Sequence, residues 1–397
     1  LPETGLSVLP PNFTLLQIVP SLDIGGAEQT TLDVGAAVVR AGGRSIVASS
    51  GGRMTEALIS AGSRFAALPV NSKNPLTLIA NGRDLARLIR KEGVSIVHVR
   101  SRAPAFSALW AARRAGVPVL ATYHGVYNAK SAPKRWYNGV MTRGDRVIAN
   151  SAFTRDHLLG QHRIDPAKVI VIPRGVDLER FEPDAIDEAR LEALRVRWGL
   201  HERDRRPTFI LAGRLTRWKG QRLAIEALAK LRDRGIDALL ILVGDAQGRV
   251  EYPAELEAAV RVLDLQDRVR LVGACSDMPA AYLLADVALA PSLEPEAFGR
   301  TAVEPQAMGR PVIAAAHGAA CETVVPGETG WLAAPGNVEA WVQAMAEAVQ
   351  AGPERLAAMG AAAMTRARRL YSVQAMTEAT IEVYLSMLAA ASARRPD

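Results

Sequence analysis

Apolar runs of four or five residues alternate along the chain with longer stretches in which apolar positions recur every three or four residues. In the first half the runs are Leu15-Leu16-Gln17-Ile18-Val19, Ser45-Ile46-Val47-Ala48, Ile96-Val97-His98-Val99, Val119-Leu120-Ala121-Thr122-Tyr123, Arg146-Val147-Ile148-Ala149 and Val169-Ile170-Val171-Ile172. Their length and β-branched content predict strands, and the stretches between them, such as residues 76–91, predict helices. Strands of this kind separated by helices make a parallel sheet covered on both faces. A charged stretch then runs to about Arg206 and the pattern restarts: Phe209-Ile210-Leu211-Ala212-Gly213, Leu239-Leu240-Ile241-Leu242-Val243, Val269-Arg270-Leu271-Val272, Val287-Ala288-Leu289-Ala290 and Val312-Ile313-Ala314. Residues 375–394 read as a final helix. The fold class expected is α/β, two tandem Rossmann-like, doubly wound parallel-sheet domains, with ligands at the carboxyl ends of the strands and hence in an interdomain cleft.

Length supports this division, since 397 residues exceed the roughly 250–300 at which one core stops growing. No apolar run approaches the roughly 18 residues needed to span a bilayer, and no secretory signal is visible. Leu1-Pro2-Glu3-Thr4-Gly5 has the letters of a sortase sorting motif but lacks the apolar tail, and is read as an added remnant. Cys275 and Cys321 are too few and too far apart for a disulfide framework or a zinc site, which fits a reduced, cytoplasmic compartment. Aromatics at 5% argue against stacking platforms for single-stranded nucleic acid.

Charge is uneven. Residues 1–180 hold 23 basic and 12 acidic side chains, the remainder 25 and 29. The first half is therefore expected to face something anionic. Bases crowd Arg83, Arg87, Arg90 and Lys91, then Arg100, Arg102, Arg113 and Arg114, then Lys130, Lys134, Arg135 and Arg143, where Trp136 and Tyr137 interleave with them. That mixture suits an anionic membrane surface.

Four places carry candidate chemistry. Gly25-Gly26 follows the first strand and opens a helix from Ala27, where bare backbone and free N–H groups can meet a phosphate; the G-x-G-x-x-G spacing of dinucleotide binding is missing. Gly213 to Gly220 follows the first strand of the second half and presents Arg214 and Lys219, a planar fork and a point charge suited to a diphosphate. His124 sits just past a strand. Glu296 and Glu304, with seven residues between them, flank Phe298, Gly299, Arg300 and Thr301; Glu296 is placed in a loop and Glu304 about two turns into the next helix. No Asp-x-Asp or His/carboxylate cluster at ligand spacing appears, so no metal site is expected.

Taken in order, residues 20–28, 122–126, 149–151, 173–177, 213–220, 243–245, 296–304 and 325–330 (the last a turn) resemble family-4 retaining glycosyltransferases of the GT-B fold, along nearly the whole chain. The resemblance implies an acceptor domain at 1–180, joined by the C-terminal helix 375–397, and a nucleotide-sugar donor domain at 181–374. It implies that Arg214 and Lys219 hold the donor diphosphate, Glu304 the ribose and Glu296 the transferred sugar. Gly25, Gly26, Gly299, Arg300 and Thr301 would contact phosphate, and His124 the sugar near its reacting carbon. Gly244, Asp245, Ser276 and Met278 would build the base pocket, and Phe298 counts among the donor-binding residues. No cofactor or metal is implied, the co-substrate being a GDP- or UDP-sugar. The resemblance also implies front-face substitution, and the sequence supplies no obvious nucleophile for the far face of the sugar. The overall character resembles bacterial envelope and lipopolysaccharide enzymes, which implies a glycan or lipid-linked acceptor and a peripheral place on the inner face of the membrane. The alternatives are a nucleotide-sugar epimerase or phosphorylase on the same fold, and a non-catalytic binder of anionic ligands; nucleic acid is not expected as a partner.

Overall fold

The computed structural model describes residues 8–23, 25–127, 131–201 and 204–393. The sorting-motif letters Leu1 to Gly5, Lys130 and Arg394 therefore lie outside the described residues. Contacts divide the chain into two units, residues 1–175 with 373–397, and residues 176–372.

The first unit is a seven-stranded parallel sheet. Its strands are β1 (Thr14–Ile18), β2 (Arg44–Ser49), β3 (Arg64–Ala67), β4 (Ile96–Val99), β5 (Val119–Tyr123), β6 (Arg146–Ala149) and β7 (Val169–Val171). They lie in the order β3-β2-β1-β4-β5-β6-β7. The second unit has β8 (Thr208–Ala212), β9 (Leu239–Val243), β10 (Val269–Gly273), β11 (Val287–Ala290), β12 (Val312–Ala315) and β13 (Gly330–Ala333), in the order β10-β9-β8-β11-β12-β13. All pairings are parallel.

The uninterrupted apolar runs follow from burial on both faces. Successive side chains of a strand point to opposite sides. Accordingly Leu16, Ile18, Val97, Val99 and Tyr123 enter one core of the first unit, and Leu15, Ile96, Leu120 and Ile148 enter the other. In the second unit Phe209, Leu211, Leu240 and Leu242 face one core, while Ile210, Ala212, Leu239 and Ile241 face the opposite one.

Two strands are not legible as apolar runs. β3 is read from Arg64-Phe65-Ala66-Ala67 and β13 from the residues just after the expected turn at 325–330. Each is an edge strand with partly exposed positions, so neither needs a continuous apolar run. The first helix begins at Gly26, one residue before the expected start.

The helix Val373–Ser392 belongs to the first unit. Met376, Ile381, Val383, Tyr384 and Met387 fill the core formed by Leu15, Ile96 and Leu120. A buried polar chain fixes its register: His98 Nδ1 lies 2.7 Å from the Tyr384 hydroxyl and Nε2 lies 2.6 Å from Thr122 Oγ1. Removing one member leaves a buried ring nitrogen without a partner. Tyr384→Phe is expected to cost about 1–3 kcal/mol by denaturant unfolding; an unchanged midpoint would show that the chain of hydrogen bonds contributes nothing.

Candidate active site

At the carboxyl end of the first sheet, Gly25 caps the helix Gly26–Arg40. A Cβ on Gly26 would stand 2.4 Å from Arg174 Nη1, so only glycine lets the guanidinium lie on this turn. Arg174, in the loop after β7, reaches His124 from Nη2, 3.1 Å from Nδ1 and 3.3 Å from the carbonyl oxygen, to which Asn150 Nδ2 also donates at 3.2 Å. Arginine only donates, so Nδ1 accepts and the proton of the neutral ring sits on Nε2. That atom is buried without a hydrogen-bond partner among the described residues. Burial, then the charges of Arg174 and Arg100, hold the His124 pKa well below the usual histidine range. The ring is a neutral hydrogen-bond donor at neutral pH, suited to an oxygen of a ligand and unsuited to acid catalysis.

Arg100, one residue past β4, is buried and donates from Nε and Nη2 to Gln17 Oε1 at 2.8 and 2.5 Å. Burial pulls its pKa down to about 10. Arg100 and Arg174 thus stand behind the glycine turn. The sequence reading counted Arg100 only as surface charge and passed over Arg174, although Arg174 lies inside a family-like stretch.

In the second unit the site is made by the loops after β8, β11 and β12. Lys219 Nζ donates to Glu296 Oε1 at 2.7 Å, and the Ser292 hydroxyl donates to the same oxygen. Gly220, at φ 78°, approaches the Pro291 carbonyl so closely that a Cβ would lie 2.1 Å from its oxygen. His317 Nε2 is 2.8 Å from the Ser292 carbonyl. Gly299, at φ 76°, caps the helix Arg300–Ala307. Glu304 lies little more than one turn into that helix, not two, because the helix starts only at Arg300. It is buried, paired through Oε1 with Arg300 Nη2 at 2.5 Å, and accepts from the Tyr282 hydroxyl at 3.3 Å.

The remaining predicted residues are placed as follows. Arg214 is exposed, and its guanidinium makes no bond among the described residues. Gly244 lies against the Gly213 carbonyl, where a Cβ would come within 1.8 Å. Asp245 accepts from the Gln247 amide at 2.8 Å, and the Ser276 carbonyl accepts from Arg180 at 2.9 Å. Met278 begins the short helix Met278–Leu283, and Thr301 lies in the first turn after Gly299. Phe298 points into the core against Tyr371, ring centroids 5.7 Å apart. Ser292 and His317 went unnoticed in the sequence, since nothing but their place just past a strand end marks them, and Tyr282 because it lies within the helix Met278–Leu283.

Residues 24–180 match the family described as Glycosyltransferase Family 4, and residues 195–366 match Glycosyl transferases group 1. The solved structure of a glycosyltransferase from Rickettsia africae is 33% identical, with a TM-score of 0.88 over 96% of this chain and 99% of that one. The chain belongs to the group 1, family 4 glycosyltransferases. Among relatives of this glycosyltransferase, the D-inositol 3-phosphate glycosyltransferase of Salinispora tropica is 33% identical over 297 residues, 69% of this chain and 60% of that protein. This glycosyltransferase thus spans less than two thirds of that relative's length. The Anabaena protein HepE, solved in complex with UDP, shares the fold at 22% identity, with a TM-score of 0.82 over 94% of this chain and 100% of that one. The expected family is therefore found, while the curated relatives carry an inositol phosphate name rather than an envelope one.

His98, like His124, is held well below the usual histidine range, first by burial and then by the charge of Arg100. Below about pH 6.5 the unfolded glycosyltransferase takes up protons at both positions that the folded unit refuses. Stability is thus complete above that pH and falls below it, by up to about 1.4 kcal/mol per pH unit for each histidine. Urea unfolding at successive pH values should show this slope, reduced in His124→Asn; equal slopes would mean that His124 protonates alike in both states.

Proposed function

We propose that the chain transfers a hexosyl group from a nucleotide diphosphate sugar to a hydroxyl of an acceptor that carries phosphate. The observation that carries this reading is the meeting of Lys219, Glu296, Arg300 and Glu304 at adjacent strand ends of the second unit. Two glutamates held by cations and hydroxyls leave lone pairs for ligand hydroxyls: Glu304 for a ribose diol and Glu296 for the sugar. Arg214, Lys219 and the first N–H groups of the helix Arg300–Ala307 take the diphosphate. A uridine donor is favoured by the UDP held in HepE. A phosphorylated acceptor is favoured by the basic first unit and by the inositol phosphate named for the Salinispora protein; a lipid-linked or lipopolysaccharide phosphate shares that chemistry.

The reaction we infer is front-face substitution with retention. The bond from the anomeric carbon to the phosphate oxygen breaks, the acceptor oxygen bonds to the same face, and its proton passes to the departing diphosphate. Cations rather than a metal ion neutralise that leaving group, so activity should persist in EDTA. The neutral His124 donates from Nε2 to an oxygen of the sugar or acceptor.

Binding of UDP, GDP and their hexose conjugates, followed by product analysis with inositol phosphate and with phosphorylated lipid glycans, tests the proposal. One nucleotide series should bind. Lys219→Ala should slow transfer by about 10²–10³-fold, and Glu304→Ala should weaken the bare nucleotide and the sugar nucleotide alike. Binding of no nucleotide would overturn the reading, and conversion of the donor without an acceptor would favour the epimerase.

The membrane expectation also becomes specific. Leu76 (76% exposed), Ile79 (55%), Trp110 (48%) and Trp136 (61%) stand on the neighbouring helices Pro75–Glu92, Arg102–Ala115 and Ala132–Asn138. Arg114 lies over Trp110 and Arg143 over Trp136. No acidic residue occurs between Glu92 and Asp145. We propose that this face meets anionic lipid. Sedimentation with phosphatidylglycerol vesicles should be lost at high salt and in the double variant Trp110→Ala/Trp136→Ala; binding indifferent to both would remove the proposal.

A further inference from the structure

His317 is not among the residues the family resemblance supplies, yet it stands in the wall of the same small cavity as Glu296. β11 and β12 are neighbours in the sheet, with Ala290 paired to Ala314. Ser292 and His317 each follow the end of their strand by two residues. The loop after β12 folds back over the loop after β11. Ala319 N donates to the Glu296 carbonyl at 3.0 Å, and Gly318, at φ 62°, passes so close that a Cβ would stand 2.8 Å from the Glu296 backbone nitrogen and oxygen. Ser292, Glu296, Gly299, Thr301, Ala302 and His317 line the space between them.

The hydrogen bonds fix what this space presents. A carbonyl oxygen only accepts, so the contact of His317 Nε2 with the Ser292 carbonyl at 2.8 Å places the ring proton on Nε2. In the neutral ring Nδ1 is then an acceptor, and it has no partner among the described residues. Glu296 uses Oε1 for both Lys219 and Ser292, and Oε2 has no partner among the described residues. The cavity therefore offers two acceptors, Glu296 Oε2 and His317 Nδ1. Gly299 and Thr301, at the start of the helix Arg300–Ala307, line the same space and bring hydrogen-bond donors to it. Adjacent hydroxyls of one sugar ring, each both donor and acceptor, complement such a wall.

We propose that His317 is a specificity-determining residue that accepts, through Nδ1, a hydrogen bond from a hydroxyl of the transferred sugar. The proposal rests on the reading of the second unit as the donor site. His317 and Glu296 then select for two hydroxyls at once, and an epimer inverted at the carbon that meets His317 loses that contact. A site built to bond a hydroxyl discriminates more sharply than an apolar wall, since the mismatch leaves polar groups unpaired.

The test measures dissociation constants of the full chain for UDP, UDP-glucose, UDP-galactose and UDP-N-acetylglucosamine, with the GDP series beside them. For the sugar nucleotide that the native chain prefers, His317→Ala should weaken binding by about tenfold or more while the bare nucleotide changes by less than about twofold. Preference over the disfavoured epimer should shrink, and His317→Gln, which retains an amide donor and a carbonyl acceptor, should recover part of it. Retained affinity for the bare nucleotide reports an intact fold in each variant. Equal weakening of nucleotide and sugar nucleotide would assign His317 to holding the loop and overturn the proposal, as would unchanged sugar preference. Failure of the native chain to bind any nucleotide would overturn the donor-site reading and this inference with it, whereas native binding with an unaffected variant removes only the inference.

Discussion

The ion pair between Lys219 and Glu296 is where the second unit's loops are tied together. Lys219 comes from the loop after β8 and Glu296 from the loop after β11, strands that lie side by side. Gly220 against the Pro291 carbonyl and the Leu293 amide donating to the Trp218 carbonyl join the same loops through backbone. Ser292 and His317 carry the linkage on to β12. Both charged partners are largely withdrawn from water. Removing either leaves the other charge buried and unpaired, a loss of roughly 3–5 kcal/mol in comparable buried pairs. The carboxylate that faces the cavity is thus oriented before any ligand arrives. Such preorganisation is what makes a polar group effective on a developing charge.

The first unit solves a different problem. It holds two arginines and two histidines close together with few acids near them, and keeps the histidines neutral by burying them. Arg100 is satisfied by Gln17, itself anchored to the Thr31 carbonyl at 2.9 Å. Arg174 rests on Gly26 and touches His124. Positive charge is thereby held near a helix start, where backbone N–H groups already favour an anion.

The parallel sheets were legible because strands buried on both faces leave continuous apolar runs, as in Leu239-Leu240-Ile241-Leu242-Val243, where every residue is buried. The edge strands β3 and β13 were not legible, since each is four residues long, without a β-branched residue, and only partly covered. Within the site, Glu296 and Glu304 could be found because their spacing is written in the chain. Arg174, Ser292 and His317 could not, because their significance comes from strands far apart in sequence being neighbours in the sheet. The burial of Phe298 was not legible either: the fold turns its ring into the core against Tyr371, a packing partner more than seventy residues away.

The second unit is an insertion within the first. The chain leaves the first unit at Gly175 and rejoins it at Val373, and the two crossings lie together, with the Val176 amide donating to the Tyr371 carbonyl at 2.6 Å and Val176 bridging to Ser372. The helix that covers Leu15, Ile96 and Leu120 is therefore synthesised only after nearly two hundred intervening residues. On the ribosome the N-terminal sheet must wait with one apolar face bare while the inserted unit is made and folds. Its completion is deferred until the inserted unit has been made, an interval in which the bare face is open to misassociation.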